Sequence, residues 1–178
     1  MNKSKRPVVD AAAIVPVYRD RLDEIRVVLV RRSAGGIHGG QLAFPGGKRE
    51  PHDRSMEETA LREAQEEIGI SRQKVEILAP LPTIETQTTG FRIFPFLARI
   101  SPPRKWHPDE REISEVIEVK LGELARPEAH GEEVMRFSTW SRPRRTPFYR
   151  VAGYQLWGVS YRILRPLIPR LLAGEWKL

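Results

Sequence analysis

The stretch from Ser55 to Ile68 reads SMEETALREAQEEI and sets Glu63, Glu66 and Glu67 within one helical turn of each other, beside Arg62. The i, i+3, i+4 spacing brings these side chains together on a helix surface, where like charges destabilise an isolated helix by roughly a few tenths of a kcal/mol per pair. A cation in front of the carboxylates removes that cost. Oxygen-only ligands crowded in this way suit a hard divalent ion, Mg²⁺ or Mn²⁺, rather than zinc. The competing explanation is a surface helix laced with ion pairs, in which Arg62 bridges Glu58 and Glu66.

The helix that must carry them is well signalled. Ser55 followed by Glu58 is a capping box, and Gly69 stands where a C-cap glycine belongs. At about 100° per residue, Met56, Ala60, Leu61, Ala64 and Ile68 share an apolar arc, and Glu67 falls inside its edge. A half-buried Glu67 with a positive partner is therefore expected. Before the helix, GGIHGGQLAFPGGKREPHD holds three Gly-Gly pairs and Pro45. Such a loop lets the backbone approach a phosphate and turn its N–H groups or carbonyls toward a ligand.

These residues carry a family resemblance. GGKREPHDRSMEETALREAQEEIGI resembles the Nudix box, the loop–helix signature of hydrolases that cleave nucleoside diphosphates linked to another group. REAQEEIG matches its core at Arg62, Glu63, Glu66, Glu67, Gly69 and the apolar Ile70. The loop is one residue longer than the commonest form, which displaces the acid of its first half to Asp53. The resemblance implies an α/β/α sandwich with a mixed sheet and a Mg²⁺- or Mn²⁺-dependent diphosphatase. It implies Glu63 and Glu67 as direct ligands, Glu66 as a shared ligand or water-orienting base, and a backbone carbonyl at Gly46 or Gly47 as a further ligand. Arg62 then holds a glutamate through a bidentate pair. Glu110, Glu112 and Glu115 are alternatives for a distal ligand or base, and spacing alone does not choose among them.

The branch of the family that cleaves coenzyme A resembles the chain over most of its length. VVLVRRS followed by HGGQLAFPGG fits through Arg32, Ser33, His38, Gly40, Gln41, Phe44, Pro45, Gly46 and Gly47. LPTIETQTTGFRIFPFLARI, EREISEVIEVKLGEL and YQLWGVSYRIL are also similar to that branch. Arg32, Ser33, His38 and Gly46 are the substrate-binding residues it implies, and 4′-phosphopantetheine and 3′,5′-ADP the products. The loop between Ser33 and His38 reads AGGI, one residue shorter than the usual pattern, with Gly36 or Ile37 where an arginine is expected. ADP-ribose or NADH hydrolysis and a non-catalytic nucleotide- or partner-binding domain are the alternatives.

Composition narrows the classes further. A length of 178 residues fits one domain, here residues 8–178 behind a basic, flexible stretch at 1–7. With no cysteine there is no disulfide, zinc–thiolate site or thiol nucleophile. No apolar run reaches a membrane span and the N-terminus lacks a signal h-region, so the cytoplasm is the default. The net charge of +7 attracts polyanions, but neither an RNA-binding sheet nor a helix-turn-helix is signalled. The expected partner is a small-molecule nucleotide, with a second copy of the chain as a possible further one. His38, His52, His107 and His130 have no metal-ligand spacing between them.

Strands are expected at Val9–Tyr18 and Ile25–Arg31 as a hairpin, at Leu42–Phe44, Val75–Ala79, Phe91–Ile100 and Val116–Val119, with a polar loop at Thr83–Gly90. Pro102, Pro103 and Pro108 mark an irregular excursion. A short helix follows near Gly122–Ala125. Val134–Ser138 and Phe148–Val151 form a second pair across an Arg/Pro-rich turn, and Trp157–Leu172 a last helix that Pro166 and Pro169 should kink or shorten.

Overall fold

The computed structural model describes residues 8–35, 39–86, 90–137 and 140–178. At its centre lies β1 (Val9–Arg19), a run of mostly apolar residues buried along nearly its whole length, as a strand covered on both faces requires. It runs parallel to β7 (Phe91–Ile100) from Val9–Phe91 to Val17–Arg99. Its other edge is shared. Val17–Arg19 pair with the start of β2 (Ile25–Arg32), while Ala11–Ala13 pair with the short β4 (Gly46–Lys48). Pro16, which has no N–H to donate, falls in the gap between those two ladders.

β2 in turn pairs with β3 (Leu42–Ala43) and with β8 (Ile113–Lys120), and its register with β8 shifts between Arg31 and Arg32. β5 (Val75–Pro80) and β6 (Ile84–Glu85) line the far side of β7. The result is a mixed eight-stranded sheet. On one face α1 (Met56–Ile68) packs Ala60, Leu61, Ala64 and Ile68 against Ile14, Val28 and Val30. On the other, α3 (Gly158–Leu172) joins a three-stranded antiparallel sheet of β9 (His130–Met135), β10 (Arg144–Val151) and β11 (Tyr154–Trp157) over Val15, Val27 and Leu29. A mixed sheet is thus sandwiched between helices, with a small second sheet sharing the α3 layer.

Several boundaries differ from the sequence expectation. β4 and β11 have too few residues for a period to show, and Ile84–Glu85 adds a paired segment inside the expected polar loop. The second pair starts earlier on both strands and Trp157 ends a strand instead of opening the helix. α3 runs unshortened through Pro166 and Pro169, because both prolines are exposed and the carbonyls they leave free can bond to water. α2 (Leu121–Leu124) occupies the expected short helix. Among the described residues no helix is long and apolar enough to cross a membrane. The segment 1–7 lies outside the described residues.

Candidate active site

α1 is capped at both ends. Ser55 Oγ accepts the Glu58 N–H at 3.1 Å, and Gly69, at φ 70°, donates its N–H to the Gln65 carbonyl. Glu58 returns its carboxylate to the N–H of Arg54 rather than to that of Ser55, and the Arg54 guanidinium holds it there. That pairing leaves Arg62 free of Glu58, so the expected Glu58–Arg62–Glu66 bridge is half replaced.

Arg62 takes a different set of partners. Its Nε and Nη2 donate to the two oxygens of Asp53 at 3.1 and 3.0 Å, a fork-to-fork pair. Nη1 donates to Glu63 at 3.0 Å and Glu66 at 2.9 Å, and Nη2 also reaches the Lys48 carbonyl. The bidentate partner is therefore Asp53, and the glutamates are held by single bonds. Asp53 is 4% exposed and also accepts the Thr59 hydroxyl and the Glu50 N–H. The Arg62 guanidinium holds its carboxyl well below the usual range.

Glu67 is 2% exposed, more deeply buried than half. Its oxygens accept the Gly46 N–H at 2.9 Å and Arg32 Nη1 at 3.2 Å. Burial pushes its carboxyl up to about 7, against the pull of those two donors, and the charges of Glu63 and Glu112 add to the rise. Burial raises Glu63 as well. Gly46 is required here, since a Cβ on it would lie 2.7 Å from the Ala13 Cα, while a Cβ at Gly47 would press on the Glu63 carboxylate, 2.6 Å from Oε2.

The distal side is closed by the irregular excursion. Trp106 donates its indole N–H to Glu118, which Tyr18 also bonds, and the Asp109 N–H donates to the Glu67 carbonyl at 3.1 Å. Ser33 ties the same segment down, its N–H to the Glu112 carbonyl and its hydroxyl to the Glu110 carbonyl. A cavity of about 310 Å³ results, lined by Glu63, Glu66, Glu67, Asp109, Arg111 and Glu112.

Of the three distal glutamates the fold brings Glu112 to this cavity, where Arg32 Nη2 approaches it at 3.8 Å. Glu115 is turned away and accepts the Tyr154 hydroxyl. Glu110 contributes its carbonyl to Ser33 and its side chain does not line the cavity. The side chains of Arg32 and Ser33 are engaged with Glu67 and Glu110, and His38 lies outside the described residues. Sequence reasoning did not single out Asp109 and Arg111, although they stand within the same charged run as Glu110 and Glu112.

Among the described residues no three carboxylate or histidine side chains stand close enough together to hold an ion as placed. Arg62 occupies Glu63 and Glu66, and Arg32 with the Gly46 N–H occupies Glu67. The donor set nevertheless suits a hard divalent ion, being oxygen-only and including a buried carboxylate whose charge is incompletely matched.

The NUDIX domain model matches residues 8–140 of the chain. The chain belongs to the Nudix family. Over 173 residues it is 41% identical to the uncharacterized Nudix hydrolase NudL of Pectobacterium atrosepticum, covering 92% of this chain and 85% of that one. Among solved structures, a MutT/nudix family protein from Enterococcus faecalis superposes with a TM-score of 0.59 at 18% identity, covering 98% of this chain and 64% of that one. The Nudix hydrolase RenU of M. smegmatis gives 0.57 at 22% identity, covering 68% and 76%. These two similarities show the fold. As a Nudix hydrolase the chain acts on pyrophosphate bonds of nucleoside diphosphate derivatives.

Proposed function

We propose that this Nudix hydrolase is a Mg²⁺- or Mn²⁺-dependent diphosphatase of coenzyme A or its derivatives, yielding 4′-phosphopantetheine and 3′,5′-ADP. The observation that carries the metal-dependent part is the buried Glu67, held by Gly46 and Arg32 at the wall of a cavity shared with Glu63, Glu66 and Glu112. Glu63, Glu66, Glu67 and the Gly47 carbonyl are the groups that would hold the ion. A bound divalent ion supplies charge neutralisation at the diphosphate and acidifies a coordinated water.

The chain's own residues divide the remaining work. Hydrolysis joins a water oxygen to one phosphorus, and the bridging oxygen departs with the other phosphate. The water's proton passes to a carboxylate. Glu66, 58% exposed, and Glu112, 56% exposed, are the two placed at the cavity with solvent access to take it. Arg62 keeps Glu63 and Glu66 oriented, with Asp53 as its anchor.

The coenzyme A assignment draws on Arg32, Ser33, His38 and the FPGG stretch. The AGGI loop, without the expected arginine, favours a second reading in which ADP-ribose or NADH is also cleaved. The deciding experiment is Mg²⁺-dependent hydrolysis of coenzyme A, its acyl forms, ADP-ribose, NADH and dinucleoside polyphosphates, with products identified by mass. Efficient ADP-ribose or NADH cleavage without any from coenzyme A would overturn the substrate assignment.

A further inference from the structure

Among the described residues, five carboxylates and one guanidinium line the catalytic cavity. The guanidinium belongs to Arg111. Of the described arginines beside the cavity, Arg62 is paired with Asp53, Glu63 and Glu66, and Arg32 with Glu67 and Glu112. Arg111 instead pairs with Asp109, Nη2 to Oδ2 at 2.6 Å and Nε to Oδ1 at 2.9 Å, and its side chain is 88% exposed.

The backbone beneath Arg111 is fixed. The Asp109 N–H is bonded to the Glu67 carbonyl, and the Asp109 carbonyl accepts the N–H groups of Glu112 and Ile113 at 2.9 and 2.8 Å. Ser33 holds the carbonyls of Glu110 and Glu112, on either side of Arg111. The residue therefore has an anchored root and an exposed head whose ion-pair partner among the described residues is Asp109. A nucleotide diphosphate entering a carboxylate-lined cavity meets like charge on most sides, so a cation that can leave its carboxylate for a phosphate oxygen lowers the cost of entry. The guanidinium fork matches two phosphate oxygens as well as it matches Asp109.

We propose that Arg111 is a substrate-binding residue that exchanges Asp109 for a phosphate oxygen of the bound nucleotide. This rests on the cavity being the catalytic site. An exposed pair between near neighbours contributes little to folding, so replacing Arg111 leaves the thermal midpoint in place and separates binding from stability.

The test is steady-state hydrolysis of coenzyme A and ADP-ribose at saturating Mg²⁺ by the wild-type chain and by Arg111→Ala and Arg111→Gln. KM rises about tenfold, equivalent to ~1.4 kcal/mol, kcat stays within about twofold, and kcat/KM falls less steeply with added salt. A KM within twofold of wild type, or a fall in kcat at unchanged KM, overturns the proposal. If the wild-type chain cleaves none of these conjugates, the catalytic reading fails first. Arg111 is then judged by calorimetric titration with ADP, where a weaker Kd in the variants supports the proposal and an unchanged Kd overturns it.

Discussion

Arg62 on the helix donates two hydrogen bonds of 3.1 and 3.0 Å to Asp53, a loop carboxylate nine residues earlier that is almost entirely buried. The pair fixes the guanidinium plane, and the remaining Nη1 can then face Glu63 and Glu66 together. Orientation of the glutamates is thus set from outside the helix.

Removing the anchor should cost both stability and turnover. Asp53→Asn removes the buried charge that anchors the fork and leaves Arg62 with Glu63 and Glu66 as its charged partners, a loss of about 2 kcal/mol for the charge-assisted hydrogen bonds. The folded-state pKa of Asp53 lies below its unfolded value, so its stabilisation is complete above the unfolded pKa of about 4 and disappears as pH falls further. Thermal melts between pH 3 and pH 7 should show the wild type's advantage over the variant constant above about pH 5 and beginning to shrink below about pH 4. A constant difference across that range would contradict the role given to Asp53.

Arg62→Lys keeps a positive charge and loses the fork. Five hydrogen bonds from three nitrogens to Asp53, Glu63, Glu66 and Lys48 cannot be reproduced by one ammonium. Its kcat should therefore fall nearly as far as that of Arg62→Ala. Recovery of most activity by lysine would reduce Arg62 to a point charge.

Glu67→Gln should lower turnover by orders of magnitude and raise metal-free stability at alkaline pH. Burial lifts the Glu67 carboxyl from 4.5 to about 7. Its charged form is therefore a folding cost that is absent below the unfolded value, grows through neutrality and is complete above pH 7. The upper bound is about 3 kcal/mol at 1.36 kcal/mol per unit. Melts in chelator from pH 5 to pH 8.5 measure the divergence of wild type and variant. Near-normal turnover at saturating Mg²⁺ would sink Glu67 as a ligand.

Glu112 and Glu115 are separated by the fold and should separate in kinetics. Glu112 lines the cavity while Glu115 accepts the Tyr154 hydroxyl elsewhere. Glu112→Gln is expected to reduce kcat by at least tenfold and Glu115→Gln by less than twofold, compared at one Mg²⁺ concentration on one substrate. The reverse order would restore the choice to Glu115.

Local signals made the helix legible before the fold was known. Ser55, Gly69 and the apolar arc act over a few residues, so the spacing of Glu63, Glu66 and Glu67 could be read directly. Strands of two to four residues such as β4 and β11 form only where a longer neighbour presents its edge, which no periodicity records. Charged-group partners were the least legible. Glu58 and Glu66 are equally spaced from Arg62, yet Arg54 captures the first and the loop delivers Asp53 instead. The distal glutamates needed the Trp106–Glu118 bond and the Ser33 contacts to tell which one turns inward.

Substrate discrimination follows from charge. Coenzyme A differs from its 3′-dephospho form by one phosphate on the ribose, which needs a cation of its own. The sequence position expected to supply part of that contact is Gly36 or Ile37, and neither carries charge. Arg32, which the resemblance implies as a substrate-binding residue, is held by Glu67 and Glu112. Efficiencies for coenzyme A and 3′-dephospho-coenzyme A should accordingly lie within about tenfold, a gap of ~1.4 kcal/mol, with measurable turnover of ADP-ribose or NADH. Parallel kcat/KM measurements on the two coenzyme A forms check this. A preference of about a hundredfold or more for coenzyme A, ~2.7 kcal/mol, would mean that another cation has taken over. The first variants to make would then be Arg142→Ala and Arg144→Ala, since Arg145 is already paired with Glu132 while Arg144 lies over the Trp140 ring.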